Sequence, residues 1–261
     1  MFTPAHVLRY RTAAIAVLAI ATGVTSAHAT NLVVNGSFSV LAVPGLATQI
    51  GTHGQTVTGW TSNNFANGVN GFNFVFTPGS ADGSGASSQN SGTIKLWGPG
   101  DGSANGMPAT SPDGGNYLGL DGVFRPGTLT QTINGLIVGQ KYNLSFYWAG
   151  AQQRGFTGPT TEGIQVKLGN ATQTTSIVSD PSKGFTGWQQ TTMTFTATSS
   201  SEVLSFLALG TPKGVPPFSV LDGVSLDLQT PVPEPASLGL VLTGIAGVGG
   251  FIRRRSKSKT V

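Results

Sequence analysis

Cysteine is absent from the 261 residues of the chain, and histidine occurs only at His6, His28 and His53. Without cysteine, the chain has no disulfide bond, no cysteine nucleophile and no thiolate metal site. Three histidines, of which His6 and His28 lie close to the start of the chain, are too few for a histidine-rich metal site. A Ser-His-Asp triad would have to use His53, which lies in a stretch rich in glycine and threonine.

Charge is also scarce, because charged residues make up only 9% of the chain. The formal net charge is +4, but half of the lysines and arginines lie in the terminal segments 1–29 and 231–261. Residues 30–230 carry seven basic and nine acidic residues and are faintly acidic. The sequence therefore predicts no phosphate-binding surface, and we expect no nucleic-acid partner.

Segment 1–29 has the pattern of a secretion signal. Arg9 and Arg11 precede the apolar run Thr12–Val24, which is shorter than the ~20 residues of a membrane-spanning helix. Ala27-His28-Ala29 then offers the small-x-small cleavage site that a signal peptidase requires. We predict a signal peptide over residues 1–29, in preference to an N-terminal transmembrane anchor, and hence an exported chain.

Segment 231–261, at the other end of the chain, combines three further elements. The motif Pro233-Glu234-Pro235 is followed by a 17-residue uncharged run, Ala236–Ile252, and by the basic cluster Arg253-Arg254-Arg255. A run of this length is at the lower limit for a helix that spans a bilayer. The arginines are expected on the cytoplasmic side of the membrane. Residues 30–230 would then lie on the opposite side.

This tail resembles the PEP-CTERM sorting signal of Gram-negative bacteria over Val232–Arg255. The resemblance implies that the tail inserts transiently in the inner membrane and is removed by an exosortase-type processing enzyme. The processed protein would then reach the outer cell surface or the extracellular polysaccharide matrix. An ordinary tail anchor is the alternative.

Hydrophobic alternation dominates residues 30–230. Tyr142, Leu144, Phe146 and Trp148 recur at the period of two that is typical of a β-strand. About a dozen such short segments, without a helical period, predict an all-β chain folded as an antiparallel β-sandwich. The predicted strands are 32–34, 56–62, 72–76, 93–97, 116–120, 128–133, 142–148, 163–168, 174–178, 191–197, 204–208 and 219–228.

Two dipeptides and two long irregular stretches separate these segments. Asp121-Gly122 and Asn134-Gly135 predict tight turns in which glycine takes a positive φ. The stretch 78–92 is rich in glycine and polar residues and is predicted to be a long loop or a flexible insertion, and 98–115 is a second irregular stretch.

Five short motifs are spread over residues 30–230. They are NLVVNGSF at 31–38, GNYLGLD at 115–121, LTQTI at 129–133, GQKYNLSF at 139–146 and VLDGVSL at 220–226. Together they resemble the galactose-binding-like jelly rolls of carbohydrate-binding modules and many envelope proteins. The resemblance implies a jelly-roll topology and binding to carbohydrate.

Many modules of this kind hold a structural calcium between their first and last strands, and calcium requires several hard oxygen ligands. Ser39 stands where the first-strand pattern commonly has an acid, and only Asp222 remains of the paired acids in the last strand. Asp222, with backbone carbonyls near Asn35, is therefore a candidate calcium ligand, but too few anionic ligands are visible for calcium to be the preferred interpretation, and no other cofactor is expected. The preferred interpretation is that Asp222 orders a turn or begins a strand.

A sugar-binding site needs an aromatic face beside amide and charged hydrogen-bonding groups. The stretches 121–125, 148–156 and 96–98 contain this mixture. The predicted ligand-binding residues are Phe124, Arg125, Gln152, Arg154 and Trp97. The alternatives are that the arginines pair with surface acids and that Trp60, Trp148 and Trp188 belong to the core.

The sequence thus favours a non-catalytic protein that binds or organises polysaccharide in the cell envelope or matrix, and it predicts no catalytic residue. One alternative is a secreted polysaccharide-active hydrolase with a carboxylate pair, in which Asp121 or Glu162 would be tested first. The other is a purely structural matrix protein without a defined ligand.

Overall fold

The computed structural model describes residues 30–66, 68–81, 94–100 and 102–229. The predicted signal peptide (1–29) and the predicted sorting tail with its hydrophobic helix (231–261) lie outside these ranges. Within them, no helix is both long enough and apolar enough to cross a bilayer.

The described residues form thirteen strands, all paired antiparallel. They are β1 (Thr61–Ser62), β2 (Asn64–Ala66), β3 (Val69–Asn70), β4 (Asn73–Phe76), β5 (Tyr117–Asp121), β6 (Leu129–Asn134), β7 (Lys141–Gln152), β8 (Thr160–Leu168), β9 (Ala171–Thr174), β10 (Val178–Asp180), β11 (Gln189–Thr196), β12 (Ser201–Thr211) and β13 (Pro217–Leu228). The first sheet has the order β11-β7-β13-β5-β4. The second has the order β1-β6-β12-β8-β10 with β9 beside β8, and β2 and β3 form a separate hairpin.

The path of the chain between the two sheets is that of a jelly roll. Strands β5, β7, β11 and β13 lie in the first sheet, whereas β6, β8, β10 and β12 lie in the second. The spatial orders β5-β13-β7-β11 and β6-β12-β8-β10 insert the last two strands between earlier ones, as nested Greek keys do. The predicted antiparallel sandwich with jelly-roll topology is confirmed by this strand order.

The alternating side chains of β7 fill the space between the sheets. Tyr142, Leu144, Phe146 and Trp148 are each at most 2% exposed and belong to one apolar cluster with residues of the second sheet. Phe146 meets Phe206 of β12 edge-on, with ring centroids 5.4 Å apart. Because burial of one such side chain contributes ~1.5–3 kcal/mol, this strand is a main source of sandwich stability. Trp148 is thereby confirmed as a core residue.

The outer face of the first sheet is apolar as well and carries a second cluster. Side chains alternate between the two faces of a strand, so Tyr117 lies in this cluster whereas Leu118 lies in the core between the sheets. Residues from the described parts of the 77–116 connection and from residues 181–188 cover it: Ala81, Ile94, Leu96, Met107, Phe185 and Trp188. The stretches predicted to be irregular therefore supply part of a third layer over the sheet.

The other two tryptophans that were predicted to be core residues differ in burial. Trp60 is 5% exposed and packs between the rings of Phe38 and Phe206, at 5.5 and 6.0 Å. Trp188 is only half-buried and meets Tyr117 edge-on at 5.7 Å in the second cluster. The prediction is therefore confirmed for Trp60 and in part for Trp188.

Four predicted strands are missing or shortened in the described residues. Segment 32–34 does not form a strand. The side-chain oxygen of Asn31 accepts hydrogen bonds from the backbone N–H groups of Val33 and Leu226, at 2.9 and 3.0 Å. Segment 174–178 spans the gap between β9 and β10. Segment 56–62 is reduced to β1 and isolated bridges, and the described residues 94–97 form only the isolated bridge Leu96–Gln153.

The two Gly-containing turn signals have different outcomes. Gly135 has the predicted positive φ, 81°, whereas Gly122 does not. The chain at Gly122 crosses from the first sheet to the second, so Asp121-Gly122 is not a hairpin turn. Glycine is required there by close packing, because a Cβ would lie 2.9 Å from the backbone nitrogen of Gly210.

Candidate functional site

The two stretches predicted to bind a ligand leave the same end of the first sheet. Strand β5 ends at Asp121 and β7 ends at Gln152, with the start of β13 between them. The register fixes this arrangement, because Phe218 of β13 lies opposite both Asp121 and Ala151. Two strand spacings separate the β5 loop (residues 122–128) from the β7 loop (residues 153–159), a distance of ~10 Å.

The carboxylate of Asp121 organises the β5 loop. It accepts the backbone N–H groups of Val123, Phe124 and Arg125 at 2.9, 3.0 and 2.9 Å. Burial raises the pKa of Asp121, while these hydrogen bonds and the charge of Arg125 oppose the rise. Since its oxygens are engaged within the loop and the residue is 1% exposed, Asp121 has a structural role rather than the catalytic one considered from the sequence.

Phe124 and Arg125 form the Arg125 patch together with Phe72. The rings of Phe72 and Phe124 lie 5.6 Å apart, and the guanidinium carbon of Arg125 lies 4.8 and 5.2 Å from their centroids. Phe124 and Arg125 are half-buried, so both keep part of their surface in solvent. The predicted residues 124 and 125 are thus brought onto one aromatic and cationic surface.

Trp97, Arg154 and Lys183 form the Trp97 patch beside the β7 loop. The indole N–H of Trp97 donates to the carbonyl of Phe156 at 2.8 Å, and the backbone N–H of Arg154 donates to the carbonyl of Lys95 at 2.8 Å. The Lys183 ammonium lies 4.9 Å from the centroid of the Trp97 ring. The structure therefore pairs the backbone segments that carry Trp97 and Arg154, although these predicted residues are 57 positions apart in the chain. Sequence reasoning missed Lys183, which has no local signal beyond its charge.

Gln152 lies beneath the Trp97 patch and not on its surface. Its side-chain amide donates to the Thr160 hydroxyl and the Pro181 carbonyl, both at 2.8 Å, and its oxygen accepts the N–H of Lys183 at 2.8 Å. The residue is 0% exposed. The prediction that Gln152 contacts a ligand is therefore wrong. Its side chain is buried, and its hydrogen bonds hold residues 181–183 in place.

Glu162, the second acid considered for hydrolysis, lies inside the sandwich next to Asp180. The two residues are 0% and 1% exposed. Burial raises the pKa of Glu162 to about 8, the Thr160 hydroxyl lowers it, and the charge of Asp180 raises it further. Burial also raises the pKa of Asp180 to about 7. A polysaccharide has no access to these carboxylates in the described structure.

Asp222 lies at the opposite side of the first sheet from the sandwich core and is 0% exposed. One carboxylate oxygen accepts a hydrogen bond from the Ser111 hydroxyl, and the other accepts no hydrogen bond of ordinary geometry among the described residues. Burial raises its pKa to about 7, the bonds from Ser111 and the Gly223 N–H lower it, and the charge of Asp113 raises it.

A groove of about 360 Å³ opens next to Gly223, but Asp222 is not among the residues that line it. It is lined by both ends of the described chain, including Asn35, Gly36, Asp113 and Gly223. The second carboxylate oxygen of Asp222 suits a hard cation, but the Asn35 carbonyl already accepts the Trp60 indole N–H at 3.1 Å. Among the described residues, no three metal-ligating acids or histidines come together. The calcium ligand role of Asp222 stays a hypothesis.

Comparison with known sequences gives one partial relative. No family model matches the chain. Halomucin from Haloquadratum walsbyi is 32% identical over 114 residues, which are 44% of this chain and 1% of that protein. The chain thus spans about a hundredth of the length of this relative.

Comparison with solved structures gives carbohydrate-binding modules. TmCBM61, solved in complex with beta-1,4-galactotriose, has a TM-score of 0.38 and 11% identity, and the match covers 77% of this chain and 99% of the module. The CBM22-1 xylan-binding domain of Paenibacillus barcinonensis has a TM-score of 0.33 and 11% identity, over 74% and 97% of the two chains. At these TM-scores the similarity carries no functional argument, and the jelly-roll assignment is based on the strand order.

Proposed function

We propose that residues 30–230 form a non-catalytic carbohydrate-binding domain of an exported protein, which contacts polysaccharide of the cell envelope or matrix. The observation that supports this proposal most directly is the pair of aromatic and cationic patches at one end of the first sheet. Trp97 with Lys183, and Phe124 with Arg125, each set a positive group against a ring.

The chemistry of these patches suits a sugar. The C–H face of a pyranose packs on an aromatic ring, and its hydroxyls accept hydrogen bonds from ammonium and guanidinium groups. Lys183 is exposed and its contact with the Trp97 ring is worth only ~0.5–1 kcal/mol, so a sugar can displace the ammonium from the ring. The displaced ammonium would then be free to bind a ring hydroxyl.

The binding experiment uses the purified full chain on an array of glycans and on native extracellular polysaccharide. We expect specific binding that Trp97→Ala and Arg125→Ala each weaken by about tenfold, equivalent to ~1.4 kcal/mol. Lys167→Ala is the matched control, because Lys167 is an exposed cation on β8 outside both patches.

Two results would contradict the proposal in different ways. Binding to no glycan would favour a structural matrix protein without a ligand. Release of reducing ends from a polysaccharide would instead favour the hydrolase, and this activity should then disappear when the responsible acid becomes an amide.

We further propose that the signal peptide directs export and that an exosortase-type enzyme removes the tail after its transient insertion in the inner membrane. Support comes from the order of Pro233-Glu234-Pro235, the uncharged run and Arg253-Arg254-Arg255 in the sequence. Mass spectrometry of the surface-released protein should find a chain that begins near Thr30 and ends within 231–237. An intact tail on the mature protein would favour an ordinary anchor.

A further inference from the structure

Glu162 of β8 and Asp180 of β10 project together into the interior of the sandwich. In the antiparallel register, Val178 lies opposite Glu162 and Asp180 lies opposite Thr160. Residues that face each other across a ladder, or are two positions apart on a strand, share one face of the sheet. Both carboxylates therefore occupy the inner face, at diagonal positions of neighbouring strands.

No hydrogen bond of ordinary geometry reaches any of the four buried oxygens of these two carboxylates among the described residues, and only the Thr160 hydroxyl lies close enough to Glu162 to lower its pKa. Two other buried acids of the chain accept several hydrogen bonds each by comparison. Asp121 accepts three backbone N–H groups, and Glu202 accepts the N–H groups of Thr198 and Ser199 together with the Thr198 hydroxyl. A buried carboxylate without hydrogen bonds or a countercharge is strongly unfavourable, so the pair calls for a compensating positive group.

Two glycines leave the space that the carboxylates occupy. A Cβ at Gly150 would lie 2.7 Å from Oε2 of Glu162, and a Cβ at Gly184 would overlap Oδ1 of Asp180. Neither glycine has a positive φ, so backbone conformation does not explain their presence. The two positions form a cradle that any other residue would fill.

Neutral oxygen atoms surround the same cradle. The Pro181 carbonyl would lie 2.5 Å from the Cβ at position 184, which places it close to the Asp180 carboxylate. The hydroxyl of Thr160 lies beside Glu162 and also accepts the Gln152 amide at 2.8 Å. Oxygen donors that include two carboxylates are the ligand set that calcium prefers, whereas zinc and copper favour nitrogen or sulfur ligands.

We propose that Glu162 and Asp180 together bind a divalent cation of the calcium type inside the sandwich, between β8, β10 and the segment 181–188. Neutral hydroxyl and carbonyl oxygens would complete the coordination, since no third acid lies among the described residues there. This site is distinct from the candidate calcium ligand Asp222 and does not depend on the proposed carbohydrate binding.

The cation would order the loop that carries Lys183. Asp180 is the last residue of β10, and the chain passes directly from it to Pro181, whose carbonyl is also held by the Gln152 amide. Lys183 follows and reaches the Trp97 ring. The cation therefore lies at the base of the Trp97 patch and would stabilise its geometry without contacting a ligand.

The test measures thermal unfolding of the purified full chain at pH 8, after treatment with EDTA and dialysis into metal-free buffer. We expect added CaCl2 to raise the melting temperature with a saturable dependence, because a ligand of the native state alone stabilises it by mass action. MgCl2 should act more weakly, since Mg²⁺ requires a near-ideal octahedron and gives up its waters reluctantly. Metal analysis should find one calcium per chain that Glu162→Gln removes.

Four variants locate the ion. Glu162→Gln and Asp180→Asn should abolish the calcium-dependent rise, whereas Asp222→Asn and Glu202→Gln should retain it. In EDTA, Glu162→Gln should remain folded by circular dichroism, because the amide removes a buried charge that lacks a partner. Terbium luminescence sensitised by tryptophan in the unmutated chain, reversed by calcium, gives a readout that needs no variant.

The proposal is overturned if the unmutated chain shows neither a calcium-dependent rise nor calcium-reversible terbium luminescence. It is equally overturned if Asp222→Asn abolishes the response while Glu162→Gln keeps it, since the ion would then lie at Asp222. If the chain binds no glycan but its melting temperature still rises with calcium, only the proposed carbohydrate function is contradicted.

Discussion

The indole N–H of Trp97 donates a hydrogen bond of 2.8 Å to the carbonyl oxygen of Phe156. This bond joins two segments that are 59 positions apart in the chain, and it holds the edge of the indole while Lys183 lies over its face. The orientation of the ring is therefore set by the protein before any ligand arrives. Such pre-organisation lowers the ordering cost of binding.

Substitution of Trp97 separates the contribution of its hydrogen bond to stability from the contribution of its aromatic face to ligand binding. Trp97→Phe keeps an aromatic face but loses the hydrogen bond to Phe156, so we expect a loss of ~0.5–1.5 kcal/mol in the free energy of unfolding and a modest loss of polysaccharide affinity. Trp97→Ala should reduce affinity much further. Urea unfolding and binding isotherms check the two effects, and equal affinities for the Phe and Ala variants would contradict a stacking role.

Asp121→Asn should destabilise the domain although it changes few atoms. The amide has one acceptor oxygen in place of two and brings two donors towards backbone N–H groups, so the three hydrogen bonds to residues 123–125 cannot all persist. Because hydrogen bonds to charged groups contribute ~1.5–3 kcal/mol each, we expect a loss of at least ~2 kcal/mol in chemical denaturation. The exposed Asp113→Asn is the matched control and should change stability by less than ~0.5 kcal/mol.

Gly122→Ala tests why glycine follows Asp121. The added Cβ would lie 2.9 Å from the nitrogen of Gly210 and 3.0 Å from the carbonyl carbon of Leu209, and both are backbone atoms that cannot rotate away. We expect a loss of ~1–3 kcal/mol in the free energy of unfolding. Gly214→Ala, where a Cβ meets nothing within 4 Å, should be neutral or slightly stabilising. Equal effects of the two substitutions would disprove the close approach.

The sandwich was predictable because its signal is local. The period-two pattern of Tyr142–Trp148 alone specifies a strand with one buried face, and the structure buries that face. The Trp97 patch was predictable only in part, since it requires pairing of residues 95–97 with the end of β7 and the arrival of Lys183 from a third segment. No local pattern encodes these distant contacts.

Gln152 and Asp121 show the limits of reading polar residues from sequence. An amide or carboxylate in a loop that also contains aromatic and basic residues resembles a ligand contact, yet both side chains bind the protein's own backbone. The bonds from Asp121 to residues two to four positions ahead are local, so an Asx-type capping signal was available for it. For Gln152 the partners come from residues 160–183, and burial alone reveals its role.

The buried acids predict an unusual pH dependence in calcium-free buffer. The pKa of Glu162 is raised from 4.5 to about 8 and that of Asp180 from 3.8 to about 7, in both cases chiefly by burial. Between the unfolded and the folded pKa values, the folded state binds protons that the unfolded state has released. The free energy of unfolding should therefore be highest on the acid side of this window and fall as the pH rises from about 5 to about 8.5.

Glu162→Gln should flatten this decline, because the amide does not titrate. A shallower slope should remain, since burial also raises the pKa values of Asp180 and Asp222 to about 7. Glu202→Gln is the matched control, as it replaces a buried carboxylate that keeps three hydrogen bonds, and it should leave the slope unchanged. Melting temperatures measured from pH 5 to pH 9 in EDTA decide the matter: a stability that is constant or rises over this range would show that Glu162 and Asp180 are ionised in the folded protein without a cation.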